Sequence, residues 1–319
     1  MFEHFPQRVL VNEVVTRDGF QSEAEFVPTA TKIELINALS TQGLNKIEVT
    51  SFVSPRAVPN LRDAEEVVTA LNRNTDTTYV ALVPNERGCG RALALDLDEI
   101  NLVMSVSETH NLANMRMTCA QSLDQFARIS AMTAGSAMRL NGSLATAFGC
   151  PFEGLQTEDT VLHYIEAYLE QGLHSITLAD TTGMAVPNQV YSLCRAVRAR
   201  WPDLEVTLHF HNTRGLGLSN VLAAMAAGMN QFDASLGGLG GCPFAPGATG
   251  NICTEDLVHM LAEMQLDCGV DLAGLLTQSR QLEAIVGHPL PGQINKAGLR
   301  TDTRPVPESV TQLRQSLEA

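Results

Sequence analysis

The feature that most constrains this chain is a repeat of two segment types in strict alternation. A short run rich in β-branched residues is followed by a longer amphipathic stretch, and the pair recurs eight times. The short runs are RVLVNEVV (8–15), NKIEVTSF (45–52), TTYVALVP (77–84), EINLVMSVS (99–107), MRLNGSLATAF (138–148), HSITLAD (174–180), EVTLHFH (205–211) and QFDASLG (231–237). Behind them lie helical stretches over 29–43, 61–72, 88–96, 119–134, 157–171, 188–200, 217–228 and 254–266. Strands alternating with helices imply a parallel sheet. Eight such units predict a closed (β/α)8 barrel over about 8–267, with a short helical extension over about 268–319. No Pro- or Ser-rich linker divides the chain, so one domain is expected. An open dinucleotide-binding sheet is disfavoured, because no GxGxxG follows the first strand.

In such a barrel the chemistry sits at the C-terminal ends of the strands. The first strand runs into TRDGFQ, with Arg17, Asp18 and Gln21. The second carries Glu48 and then Ser51, the sixth ends in Asp180 and Thr181, and the seventh ends in LHFHNTRG. On a strand, residues two apart face one side, so His209 and His211 point together. Two imidazoles on a strand end, with the Asp18 carboxylate on the same rim, suit a divalent ion with nitrogen and oxygen ligands, such as Mg, Mn or Co. Arg17 is a permanent cation beside that site and could stabilise an oxyanion. Glu48 shares its parity with Lys46 and Thr50, and an inward carboxylate needs a partner, for which Arg17 is the obvious candidate. After the eighth strand, six of the fourteen residues from 237 to 250 are glycine, around Cys242. Low bulk lets backbone approach a ligand closely, and a thiol there could deliver a proton.

The formal net charge of -14 argues against a nucleic-acid partner. No apolar run approaches the length of a membrane span, and the N-terminus lacks a secretion signal. Seven cysteines without a regular spacing fit a reducing, cytoplasmic setting.

Taken together, RDGFQSE, GLNKIEVTSFVSPRAVPNLRD, FGCPFEG, LADTTG, HFHNTRG and GGLGGCPFAPGATGN resemble the 3-hydroxy-3-methylglutaryl-CoA lyase family, over about 8–290. The resemblance implies a divalent metal, Mg or Mn, held by Asp18, His209, His211 and Asn251. It implies Arg17 as the stabiliser of a thioester enolate, Glu48 and Asp180 as supporting acids, and Cys242 as a proton-transferring thiol. Gln21, Ser51 and Thr181 would line the substrate pocket. The base that takes the substrate's hydroxyl proton is Asp18 or a ligand histidine such as His209. The implied reaction cleaves 3-hydroxy-3-methylglutaryl-CoA to acetyl-CoA and acetoacetate, with an acyl-CoA as partner and a homodimer as the assembly. Two departures stand out. The family's usual Asp-Thr-Tyr after the histidine pair is Asn212-Thr213-Arg214, and its usual Arg-Gly-Tyr on the fifth strand is Asn141-Gly142-Ser143. The second leaves room for a related acyl group, such as that of citramalyl-CoA.

Overall fold

The structure is a computed structural model and describes residues 5–241 and 250–318. Its strands are β1 (Leu10–Glu13), β2 (Lys46–Ser51), β3 (Thr78–Leu82), β4 (Glu99–Ser105), β5 (Arg139–Ala145), β6 (Ser175–Asp180), β7 (Glu205–Phe210) and β8 (Gln231–Ala234). They are parallel, pair in chain order, and close where β1 meets β8, from Leu10 opposite Gln231 to Glu13 opposite Ala234. The surrounding helices are α1 (Thr29–Ser40), α2 (Ala64–Thr69), α3 (Glu86–Leu93), α4 (Glu108–Met115), α5 (Cys119–Thr133), α6 (Glu158–Glu170), α7 (Pro187–Arg200), α8 (Gly217–Ala226), α9 (Thr254–Glu263) and α10 (Leu272–Val286). Two more, α11 (Ile294–Ala297) and α12 (Glu308–Glu318), complete the C-terminal extension. The (β/α)8 barrel is thus the fold. No helix among the described residues is long and apolar enough to cross a membrane.

Alternation along each strand builds two different layers. Residues facing the helices are apolar and buried: Ile47 and Val49 on β2, Ile100, Leu102 and Met104 on β4, Val206, Leu208 and Phe210 on β7. Each such side chain stabilises the fold by roughly 1.5–3 kcal/mol relative to exposure. Many residues facing the barrel axis are polar, where barrels of this class are usually filled by Val, Ile and Leu. Asn141 donates to Asn101 and Thr177, and Asn12 donates to Asp233, across the interior. At the floor, Lys46 bonds Glu99 at 2.9 Å and Glu205 at 2.8 Å, and Arg139 bonds Glu205 at 2.6 Å. Gly142 faces outward, where Tyr168 packs so closely that a Cβ would lie 2.2 Å from its ring.

Several boundaries differ from the sequence expectation. The first strand ends at Glu13 rather than 15, because Val15–Gly19 winds into a π-helical turn whose Arg17, Asp18 and Gly19 amides converge on the Val14 carbonyl. The eighth strand ends at Ala234, and a short 3-10 turn follows over Leu236–Gly238. The helix expected over 61–72 is a 3-10 turn at Pro59–Leu61 and then α2. Helix α4 was not expected; α10, α11 and α12 make up the helical extension expected over about 268–319.

Candidate active site

The π-helical turn after β1 presents Arg17 and Asp18 together at the C-terminal mouth. Arg17 donates through Nε to Glu48 and through Nη1 to Asp18 Oδ1 at 2.7 Å. The expected Glu48–Arg17 pair is therefore present, and Asn101 holds the other Glu48 oxygen at 3.1 Å. Burial pushes the Glu48 carboxyl upward, and Arg17 and Asn101 only partly oppose it. For Asp18 burial also raises the pKa, but Arg17, then the two histidines and Asn251, outweigh it and hold the carboxyl at about 2. Asp18 is thus an anion at neutral pH.

His209 and His211 stand on one side of β7, as their spacing predicts. Their Nε2 atoms face each other at 3.2 Å, and His211 Nε2 lies 3.9 Å from Asp18 Oδ2. One ligand atom from each of Asp18, His209 and His211 lies within 4.8 Å of the others. Asp233 accepts from His209 Nδ1 at 3.2 Å, which leaves Nε2 of the neutral ring as the lone-pair atom. Burial lowers the His209 pKa, but the Asp233 hydrogen bond and charge outweigh it, so the net shift is upward. Burial, and then the neighbouring His209, push His211 down to about 4, so that ring is neutral. His211 Nδ1 is buried with no partner among the described residues.

This donor set fits a divalent cation on two grounds. The three ligand atoms converge; Asp18 and His211 carry lone pairs at neutral pH, and the neutral His209 ring offers its own at Nε2. The carboxylates also outnumber the guanidinium: Arg17 faces Asp18, Glu48 and Asp233, and Asp18 is held as an anion in a buried place.

Asn251 joins the cluster from the segment before α9. It pairs with His211 in an isolated antiparallel bridge, and its Nδ2 donates to Asp18 Oδ2 at 2.7 Å and to the Leu239 carbonyl at 3.1 Å. It sits at the site, with its amide nitrogen rather than its oxygen turned to Asp18. Gly240 runs beside it with φ +111°, and a Cβ there would lie 2.7 Å from Asn251 Nδ2. Asp180 bonds the Met184 and Ala185 amides through Oδ1 at 2.7 and 3.0 Å, while its buried Oδ2 has no partner among the described residues. Burial pushes this carboxyl up to about 6.

The expected pocket residues stand on the same rim. Ser51 Oγ accepts from the Val53 amide at 3.3 Å, and Thr181 Oγ1 accepts from the Thr146 amide at 2.8 Å, so both hydroxyl hydrogens stay free to donate. Gln21 is half-buried one turn after Asp18. Cys242 lies outside the described residues. Sequence reasoning missed Asp233, which orients His209, and Asn101, which joins Glu48 to Ser143. The signal for Asp233 was the polar parity of Gln231 and Asp233 on β8, the strand that pairs His209 directly with Asp233.

Comparison with known proteins agrees with this geometry. The family model described as HMGL-like matches residues 8–282. A curated (R)-citramalyl-CoA lyase of Chloroflexus aurantiacus is 42% identical over 92% of this chain and 95% of its own length. A hydroxymethylglutaryl-CoA lyase of Bacillus subtilis is 42% identical over 91% of this chain and 97% of its own. Among solved structures, an HMG-CoA lyase of Acinetobacter baumannii, in complex with coenzyme A and 3-methylmalate, superposes with a TM-score of 0.91 at 55% identity, covering 94% of this chain and 98% of that one. By the extent of these matches, this chain belongs to the HMGL-like family of carbon–carbon lyases.

Proposed function

We propose that this protein cleaves 3-hydroxy-3-methylglutaryl-CoA to acetyl-CoA and acetoacetate with the help of Mg or Mn. The observation that carries the reading is the convergence of Asp18, His209 and His211 within 4.8 Å, beside an Arg17 fixed by Glu48. These three residues would hold the cation, with Asn251 as a further oxygen donor. A divalent ion bound there would draw in the substrate's tertiary hydroxyl and carboxylate and make the hydroxyl more acidic.

The chain's own groups divide the remaining work. When the C2–C3 bond breaks, its electrons pass to the thioester carbonyl and form an enolate. Arg17 stabilises that oxygen: Nε and Nη1 are tied to carboxylates, and Nη2 has no partner among the described residues. Asp18 and the two histidines would be engaged as ligands. The acid–base role therefore falls to Asp180, whose free Oδ2 and pKa of about 6 suit proton exchange near neutrality. Ser51, Thr181 and Gln21 would orient the acyl group, and Cys242 would return a proton to the enolate carbon. A Cys242→Ala variant that turns over like wild type would remove the thiol from the scheme.

A second reading, cleavage of citramalyl-CoA to acetyl-CoA and pyruvate, is favoured by one observation. Ser143 stands where the family usually has Tyr, and its hydroxyl is bonded to Asn101 at 2.7 Å. The residues beside it in the barrel are aliphatic: half-buried Leu82 and Val103, and buried Ala179. The test is to supply Mg or Mn and a panel of 3-hydroxy-3-methylacyl-CoA esters, and to identify products by mass spectrometry. Acetoacetate supports the first reading, pyruvate the second, and no cleavage with either metal defeats both. The cytoplasm as the site of action and a homodimer as the working unit are part of the same proposal.

A further inference from the structure

Glu13 breaks the pattern of its own strand. Asn12 points into the barrel, so Glu13 points out among the helices, on the face where Val9 and Val11 are fully buried and apolar. A carboxylate there has to be satisfied completely or it destabilises the fold. It is satisfied by three separate pieces of chain. Oε1 accepts from the Val15 amide and the Leu236 amide, both at 2.9 Å, and Oε2 bonds the Thr254 hydroxyl at 2.7 Å.

Each of those pieces carries a part of the site. Val15 opens the π-helical turn that ends in Arg17 and Asp18. Leu236 opens the turn that leads to Leu239, whose carbonyl holds Asn251. Thr254 opens α9, three residues beyond Asn251. A second buried carboxylate, Glu255, reinforces the middle piece by accepting from the Gly237 amide at 2.9 Å and from Ser279 at 2.5 Å. Asp18 and Asn251 then meet at 2.7 Å, although they are 233 residues apart in sequence.

We infer that Glu13 is a positioning residue: it fixes the π-helical turn, the exit of β8 and the start of α9 on one side chain, and so sets Asp18 and Asn251 in register for the cation. The inference rests on the metal reading given above. The role requires acceptor geometry for two amides and a hydrogen-bonding partner for Thr254; it does not require a charge. Burial pushes Glu13 up to about 8, so its charge is not what ties the segments together: Oε1 accepts from the two amides and Oε2 accepts from the Thr254 hydroxyl. Glutamine keeps an acceptor for the two amides, and its Nε2 pairs with Thr254 once that hydroxyl turns to accept.

The experiment compares wild type, Glu13→Leu and Glu13→Gln by calorimetric titration with Mn2+, by steady-state kinetics, and by hydrogen exchange of the metal-free proteins. Glu13→Leu should weaken Mn2+ binding about 10–100-fold and lower kcat in step, with KM for acyl-CoA moving much less. Its Val15 and Leu236 amides should exchange faster. Glu13→Gln should restore most of the affinity and the slow exchange. Wild-type Mn2+ affinity in Glu13→Leu, or a Glu13→Gln as impaired as Glu13→Leu, overturns the inference. If circular dichroism shows Glu13→Leu unfolded, Thr254→Val takes its place, and an unchanged Mn2+ affinity there is equally fatal. If wild type itself binds no Mn2+, the metal reading fails, and the exchange rates alone decide whether Glu13 holds the three segments.

Discussion

The barrel has a charged cluster at each end, and the two are built from the same kinds of side chain. At the floor, Lys46 and Arg139 face Glu99 and Glu205, two cations against two carboxylates, with every ion bonded to an opposite one. At the mouth, Arg17 alone faces Asp18, Glu48 and Asp233, and two imidazoles stand between them. The floor is complete as it stands. The mouth sets three carboxylates against one guanidinium and brings three ligand atoms together, which is the condition of a cation site. Burial with ion pairing therefore does not mark a functional centre by itself; an imbalance that a ligand would cure does.

That contrast can be broken from either end. The largest effect is expected at the floor. Lys46→Met leaves two carboxylates with Arg139 alone, and should cost about 3–5 kcal/mol of stability in a urea titration. The same variant should keep wild-type Mn2+ affinity. Weakened metal binding with an unchanged fold would mean that the two clusters are not separate.

At the mouth, Arg17→Gln should lower kcat by about 10²–10³-fold, equivalent to about 2.7–4 kcal/mol, with little loss of bound metal by elemental analysis. Turnover equal to wild type would remove Arg17 from the chemistry. A smaller effect is expected one step back. Asp233→Asn keeps the shape but weakens the anchor on His209 Nδ1, and should reduce Mn2+ affinity about 10–100-fold. If affinity is untouched, the His209–Asp233 bond has no part in the site.

The architecture was legible because eight alternations leave few topologies open, and the rim residues were legible because the barrel dictates where strand ends go. Arg17, Asp18, Glu48, His209 and His211 come together as their strand ends imply. The rest was hidden for physical reasons. The β-branched pair Val14 and Val15 reads as strand, yet the amides of Arg17 and Asp18 fold back onto the Val14 carbonyl. Helix α4 ends on Arg116 in the left-handed conformation at φ 56°, without the glycine that would signal a stop. Within the expected helical extension, α12 buries none of its residues, so no core-facing stripe fixes its bounds. Asp233 acts through its pairing with the neighbouring strand, and Glu13 through the seam where β1 meets β8, which no local window contains.

The smallest prediction concerns Glu205 at the floor, and its sign can be worked out. Burial raises this carboxyl, but Lys46 and then Arg139 outweigh it and hold it at about 2, below the ordinary 4.5. A folded-state pKa below the unfolded one gives stability that is full above about 4.5 and is lost as pH falls through about 2. Absolute stability is a poor probe, because His211 at about 4 and Asp180 at about 6 also titrate on acidification, with opposing signs. The difference between wild type and Glu205→Gln cancels them, since separate sites add. Glu205 is partly exposed, so the difference should be only about 1 kcal/mol at neutral pH. It should stay level down to about pH 4.5 and shrink steadily toward pH 3. A difference that grows on acidification, or one that changes between pH 7 and 5, would show that the floor is tied to the histidines above it.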